Sequence, residues 1–144
     1  MAAPSGPVSP ATEAERAMFD FVDAYDRAYE IAAAQHGMSV AHACVLGRIA
    51  KPRGMGELAD ELGCDASNIT QVVTRLEARG LAERHANPND RRSRQVNRTT
   101  AGDNLNAAFE KSFEFARTAT SNLSDGEQNQ LAELLRKALG QSTS

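Results

Sequence analysis

Several features that mark other protein classes are scarce or missing in this sequence. Its 144 residues contain no tryptophan and only two cysteines, Cys44 and Cys64. Two scattered cysteines are too few for a disulfide framework or a zinc site, which is typical of a reducing compartment. No apolar run approaches the ~20 residues that a membrane span needs. The N-terminus lacks the basic start and apolar segment of a secretory signal, so we expect a cytoplasmic protein.

Signatures of catalysis are also missing. No nucleophile–base pair or glycine-rich phosphate loop is visible, and His36, His42 and His85 show no metal-ligand spacing with either cysteine. We therefore expect no enzymatic activity, no cofactor and no metal site. The composition, 41% hydrophobic and 24% charged, is that of a globular chain long enough for one domain with a core.

The net charge of −3 is unevenly distributed. Residues 1–50 carry six acidic side chains against three arginines. Residues 84–98 carry five arginines against one aspartate, Asp90. A local concentration of positive charge in an acidic protein indicates a surface for a polyanion. The alternative is a solvent-exposed charged hairpin without a partner.

Residues 55–80 contain two short helical patterns joined by a turn. Gly63 is suited to end the first helix and Asp65 to cap the second. Each helix has apolar residues at i, i+3, i+4 and i+7 spacing. The first set is Met55, Leu58, Ala59 and Leu62, and the second is Ile69, Val72, Val73 and Leu76. This pattern predicts a helix-turn-helix.

The polar face of the second helix is rich in short hydrogen-bonding side chains, where a merely solvated face favours Lys and Glu. The alternative is an ordinary exposed polar face, but such side chains suit contacts with base edges in the major groove of DNA and with nearby phosphates. The predicted contact residues are Ser67, Asn68, Thr70, Gln71, Thr74 and Arg75. For Arg75, an ion pair with Asp90 that holds the following hairpin is an equal alternative to a phosphate contact.

The flanking segments complete the architecture. Residues 1–10 are expected to form a disordered tail, and a capping box at Thr12 begins a long helix that ends near Gly37. Ser39 can cap a short helix. Strands at 81–85 and 94–98, with a turn at 86–90, predict a β-hairpin after the helix-turn-helix. We expect Arg91, Arg92 and Arg94 at its tip to contact phosphates or the minor groove.

Helices dominate the remainder of the chain. Thr99 or Thr100 is expected to begin one long helix that ends at Asn122 and Leu123, and Ser124 begins the last helix. Residues 141–144 form a polar tail. The predicted fold is mainly α with a small β-hairpin wing: a winged helix-turn-helix lobe at 38–99, and a helical region at 11–37 and 100–140.

The terminal helices carry more apolar surface than a compact winged helix requires. We therefore expect residues 11–37 and 100–140 to form a homodimer. In this dimer, the second helix of each helix-turn-helix would enter the major groove of DNA. Two of these helices related by a twofold axis fit a pseudo-palindromic duplex with half-sites roughly 34–36 Å apart.

The segment from Gly56 to Gly102 resembles the MarR family of bacterial transcription regulators. The agreeing pieces are ELADELG, the LEARGL join, the Asn-Asp-Arg-Arg sequence at 89–92 and the Thr-x-x-Gly sequence at 99–102. The resemblance implies a homodimeric winged-helix fold and a regulator, more often a repressor than an activator. Two positions depart from the family: Gln71, where arginine is common, and Arg98, where an apolar residue is usual. Gln71 favours adenine, and Arg98 is expected to snorkel or to contact a phosphate.

The resemblance also implies release from DNA by a small aromatic or phenolic effector. Its pocket would lie between the dimer region and the DNA-binding lobe, with Tyr25, Tyr29, His36, His42 and Phe109 as lining residues. Two alternatives remain: a winged-helix module for protein contacts, and a redox-responsive regulator that uses Cys64 or Cys44. We expect both cysteines to act as small buried side chains, because reactive cysteines need an electropositive setting and Asp65 follows Cys64.

Overall fold

The computed structural model describes residues 8–141, which form seven helices and one small sheet. Most of the predicted tail at 1–10, and all but the first residue of that at 141–144, lie outside the described residues. One compact unit ends at Phe113 and a second begins at Glu114. No helix among residues 8–141 has the length and apolar character required to cross a membrane.

Local capping determines where the first helices begin. Helix α1, Glu13–Gln35, starts with the predicted capping box at Thr12, in which the Glu15 N–H donates to the Thr12 hydroxyl. Helix α2, Val40–Arg48, starts with a capping box between Ser39 and His42. Gly37 lies between them with φ +68°, a conformation that glycine adopts at little cost.

The predicted helix-turn-helix is present. Helix α3 spans Met55–Leu62 and helix α4 spans Ala66–Ala78. Gly63 ends α3 in the left-handed conformation, with φ 63°. The apolar faces of the two helices turn inward, so that Leu58, Ile69 and Leu76 are fully buried.

The sheet has one more strand than the sequence predicted. Strand β1 is only Arg53–Gly54, β2 is Ala82–Asn87 and β3 is Asp90–Arg98, in the antiparallel order β1-β3-β2. A two-residue strand leaves no periodicity to detect, and Pro52 with Gly54 indicated only a break between helices.

The hairpin strands are longer and the turn shorter than predicted. Asn87 and Asp90 belong to the strands, because they pair with each other across the hairpin. Their side chains accept hydrogen bonds from the backbone N–H groups of Asn89 and Arg92. The turn is therefore reduced to Pro88 and Asn89. The side chains that indicated a five-residue turn instead stabilise the two strand ends.

The predicted long helix after Thr99 was wrong in its extent. Helix α5, Thr100–Ser112, begins at the Thr99 cap, and a separate helix α6 spans Phe115–Ser121. Phe113 leaves helical geometry (φ −86°, ψ 87°), and its ring packs edge-on against Tyr25 and Tyr29 at centroid distances of 5.3 Å. The Ser112 hydroxyl donates to the Phe109 carbonyl, which competes with the helical ladder. No glycine or proline lies at this break, so the residue types did not indicate it.

In the second unit, helix α7 spans Asp125–Ala138 and begins with the predicted capping box between Ser124 and Glu127. In the first unit, a single core joins α2, α3, α4 and the sheet. Its largest fully buried side chains are Leu46, Ile49, Leu58, Ile69, Leu76, Val45, Val73 and Val96. This core holds α4 and the hairpin against one another.

Candidate nucleic-acid interface

The start of α4 is held by its N-cap. The Asp65 carboxylate accepts the backbone N–H of Asn68 at 2.9 Å and the hydroxyl of Ser67 at 2.8 Å. The hydrogen bond from the Asn68 backbone has the larger effect on the pKa of Asp65, and that from Ser67 adds to it. Together they hold this pKa below its usual range. The carboxylate therefore stays charged and stabilises the helix start, where the helix dipole favours negative charge.

All six side chains that were predicted to contact DNA from α4 are exposed. Their hydrogen-bonding capacity differs, however. The hydroxyl of Thr70 donates to the Ala66 carbonyl at 2.9 Å, and that of Thr74 donates to the Thr70 carbonyl at 2.8 Å. Within residues 8–141, the side-chain amides of Asn68 and Gln71 make no hydrogen bond. These amides keep both donors and acceptors for an external partner.

The hairpin carries three exposed arginines, and two of them, Arg92 and Arg94, lie on the same side of the unit as α4. Arg91, Arg92 and Arg94 are exposed, and none of them forms an ion pair with a described carboxylate. Arg92 and Arg94 line a groove of about 510 Å³ together with Thr70 of α4. Gly56, at the start of α3, also lines this groove. The positive charge of the hairpin therefore faces the polar side of the helix-turn-helix.

The predicted ion pair between Arg75 and Asp90 is not found among the described residues. The hairpin is joined to α4 by Arg84 and Glu77 instead, with Arg84 Nη2 2.5 Å from Glu77 Oε1. The sequence analysis missed this pair. Strand alternation contained the signal, since Arg84 shares a strand face with the buried Ala82 and so points toward the helix.

Arg98 neither snorkels to water nor remains available for a phosphate. Its side chain is only 13% exposed and lies 2.8 Å from the Asp103 carboxylate. Its Nη1 also donates to the Leu46 carbonyl at 3.1 Å. Arg98 therefore satisfies a carbonyl in the last turn of α2 and joins it to α5, a structural role that replaces the apolar contact usual at this position.

Four of the five residues predicted for an effector pocket come together. Tyr29 and Phe109 are in edge-to-face contact at 5.0 Å, Tyr25 stacks on Tyr29 at 6.2 Å, and His36 lies 6.3 Å from Phe109. Phe113 completes this aromatic cluster, although it was not among the predicted lining residues. Burial raises the pKa of the Tyr29 phenol, and its hydrogen bond with the Cys44 thiol adds to this effect.

His42 is the predicted pocket residue that lies elsewhere. Its Nδ1 faces the Ser39 hydroxyl at 2.8 Å, and its buried Nε2 has no hydrogen-bond partner among the described residues. Burial lowers the pKa of His42, and the positive charges of Arg75 and Arg79 lower it further. The imidazole is therefore held neutral between α2 and α4.

The His42 environment predicts a pH-dependent stability. The folded chain binds the imidazole proton less readily than the unfolded chain, so the free energy of unfolding decreases as the pH falls below 6.5, towards the lower pKa of the folded state. The variant His42→Gln keeps a side chain suited to the capping box and removes the titration. Denaturant unfolding between about pH 7 and about pH 5 should show a steeper loss for the wild type than for the variant. Parallel losses would contradict this account of His42.

A second cavity, of about 220 Å³, lies beside α4. Both cysteines line it, together with Asn68, Gln71 and Arg75. The thiol of Cys64 points its hydrogen at the Leu62 carbonyl, with a distance of 3.6 Å between sulfur and oxygen. The Cys64 side chain is half-buried. Among residues 8–141, no group of three histidine, cysteine or acidic side chains could hold a metal ion.

Comparisons with known proteins agree with this geometry. The sequence model of the MarR family matches residues 36–93, while a comparison with curated proteins finds no match. Apo wild-type MarR from E. coli is 27% identical, with an alignment that covers 93% of this chain and 99% of MarR and a TM-score of 0.76. A mutant MarR from E. coli complexed with operator DNA is 28% identical over 86% of this chain and 91% of its own, with a TM-score of 0.71.

A more distant structure has the same fold. The MepR–DNA complex of S. aureus is 21% identical, covers 91% of this chain and 98% of MepR, and has a TM-score of 0.74. The matches span the helix-turn-helix, the hairpin and the flanking helices. Residues 36–93 of this chain therefore match the MarR family, and the chain has the winged helix-turn-helix fold of the MarR structures.

Proposed function

We propose that the chain is a homodimeric, sequence-specific DNA-binding repressor that recognises a pseudo-palindromic duplex. The proposal rests on the exposed, unengaged amides of Asn68 and Gln71 on α4, and on the groove in which Arg92 and Arg94 of the hairpin lie beside Thr70 of the same helix. The operator complex of E. coli MarR, at 28% identity, supports duplex DNA as the partner.

Contacts with bases and with the backbone fall to different side chains. Asn68 and Gln71 have free amides and are proposed to contact base edges, where a glutamine pairs bidentately with adenine. We assign contacts with the adjacent DNA backbone to four other exposed side chains of α4: Ser67, Thr70, Thr74 and Arg75. Arg91, Arg92 and Arg94 are proposed to contact phosphates or a narrow minor groove. Arg98 is excluded from this set because it is engaged with Asp103 and Leu46.

Apolar side chains on both units support the homodimer. On α1, Phe21 is 51% exposed, and Met18, Val22 and Ile31 are similarly exposed. On the second unit, Leu134 and Leu135 are more than half exposed. Exposed apolar side chains in such numbers favour burial against a second copy of the chain.

The test of the proposal compares two variants on duplexes selected from random DNA. Gln71→Ala should relax the preference at one base position by about 1–3 kcal/mol and leave the salt dependence unchanged. Arg92→Ala should weaken binding to every duplex and reduce the salt slope by roughly one unit. If both variants select the wild-type motif with the wild-type salt slope, the assigned roles are wrong. If the wild type selects no motif, the chain serves as a protein-interaction module instead.

A small aromatic effector belongs to the same proposal. The cluster of Tyr25, Tyr29, Phe109 and Phe113 offers ring faces and edges, to which an aromatic ligand can bind in place of the existing ring contacts. The titration is therefore repeated with a panel of aromatic acids. We expect at least one of them to release the selected duplex, and no release across the panel would remove the effector from the proposal.

A further inference from the structure

The only charged connection between the hairpin and α4 that the described residues form is the one made by Arg84 and Glu77. Arg84 lies on β2 opposite Val96 of β3, and Val96 is fully buried. The Arg84 side chain thus extends from an edge strand, next to a fully buried position of the central strand. It reaches Glu77 Oε1 with both Nε, at 3.0 Å, and Nη2, at 2.5 Å. A partly buried ion pair that is held by two hydrogen bonds has a defined geometry.

The same guanidinium also contacts the polar face of α4. Its Nη2 donates to the Thr74 hydroxyl at 2.9 Å, and that hydroxyl donates to the Thr70 carbonyl at 2.8 Å. Arg84 and Thr70 both line the groove between the hairpin and α4, along with Arg92 and Arg94. One side chain therefore connects strand β2 of the hairpin to the helix that bears the proposed base contacts.

We propose that Arg84 is a positioning residue for DNA recognition, acting through Glu77 and Thr74 rather than by touching DNA; this rests on the proposed function. Its charge is already compensated by Glu77, and three of its donors are engaged. The ion pair sets the distance and angle between the hairpin arginines and α4. The hairpin arginines and α4 must contact the same duplex at the same time. The preference for one DNA sequence over another therefore depends on the Arg84–Glu77 ion pair.

The positioning role of Arg84 and electrostatics alone predict opposite effects of removing the charge of Glu77. Glu77→Gln removes a negative charge close to the DNA surface, which by itself strengthens binding to any duplex. If the pair positions the hairpin, the same variant weakens binding to the selected duplex relative to a random duplex. We expect that specificity ratio to fall by about tenfold, within the range of coupling between contacting residues.

A matched control lies on the same strand. Glu83→Gln makes the same charge change one residue from Arg84, and its amide oxygen can still accept the hydrogen bond that Asn97 donates to Glu83. We expect Glu83→Gln to leave the specificity ratio unchanged. Arg84→Met should reduce the ratio as Glu77→Gln does, and the double variant should be no worse than either single variant, because all three lose the same pair.

The measurement is competition binding of the full chain with selected and random duplexes, at a temperature where circular dichroism shows every variant folded. A fall in the ratio for Glu77→Gln and Arg84→Met, non-additive in the double variant and missing in Glu83→Gln, supports the inference. Equal behaviour of Glu77→Gln and Glu83→Gln, or additive losses, overturns it while the proposed function stands. A wild type without any preference overturns both.

Discussion

Replacing Gly102 by alanine is expected to destabilise the first unit by about 3 kcal/mol or more, the upper range for overpacking. A Cβ at this position would lie 2.0 Å from the Leu81 carbonyl oxygen and 3.2 Å from Cβ of Arg98. The helix start cannot simply move away, since the Thr99 N–H donates to Leu81 and the Thr99 hydroxyl donates to Gly80 at 2.6 Å. The glycine in the Thr-x-x-Gly sequence is therefore required by the contact between α5 and the end of α4.

The measurement is urea unfolding of both proteins at equal concentration, because the stability of the proposed dimer would depend on concentration. Gly56→Ala provides the control in the same unit: Gly56 is helical, and an added Cβ meets no atom within 4 Å. Alanine there should leave stability equal or slightly raised. Equal midpoints for Gly102→Ala and wild type would show that α5 can shift and that the close contact is unimportant.

A charge on the apolar face of α1 is expected to abolish dimerisation and, with it, tight DNA binding. Phe21→Glu places a carboxylate on the surface proposed to be buried against a second copy, where an unpaired charge is costly. A monomer can contact only one half-site, so affinity for the selected duplex should fall by about a hundredfold, the advantage that linking two contacts provides. Analytical ultracentrifugation measures the first effect, and duplex titration measures the second.

Arg27→Gln changes the charge of α1 by the same amount at a position about 120° around the helix from Phe21, and Arg27 is exposed. This variant should remain dimeric and bind the selected duplex as the wild type does. A Phe21→Glu protein that sediments as a dimer would place the interface elsewhere. A monomeric Phe21→Glu protein with unchanged affinity would separate DNA binding from dimerisation.

Elements with local causes were predictable from the sequence. Thr12, Ser39, Asp65 and Ser124 each cap the helix that follows, because a cap needs only a hydrogen bond within three residues. The apolar stripes of α3 and α4 were also correct, and their buried residues are those that helical spacing selects.

Features that depend on distant partners were not predictable. Arg98 is engaged with Leu46, which is 52 residues away, and its charge alone suggested a surface role. The break between α5 and α6 follows from the packing of Phe113 on Tyr25 and Tyr29 of α1. The ion pair between the hairpin and α4 is Arg84–Glu77 rather than the expected Arg75–Asp90. This difference also depends on how the hairpin lies against α4. Single-sequence patterns do not contain these tertiary choices.

The residues proposed to contact DNA divide in the same way. Helical spacing identified the exposed face of α4, and the run of arginines identified the hairpin tip. Spacing could not show that the hydroxyls of Thr70 and Thr74 are engaged within the helix while the amides of Asn68 and Gln71 are free. That distinction narrows the proposed direct base contacts on α4 to Asn68 and Gln71.

Competition binding of the wild-type chain at about 150 mM salt, where exposed charges are largely screened beyond roughly 8 Å, tests the central claim most directly. The account predicts two chains on each selected duplex and a preference over random duplex of at least about a thousandfold. Equal affinity for all duplexes, or saturation at one chain for each duplex, would contradict it.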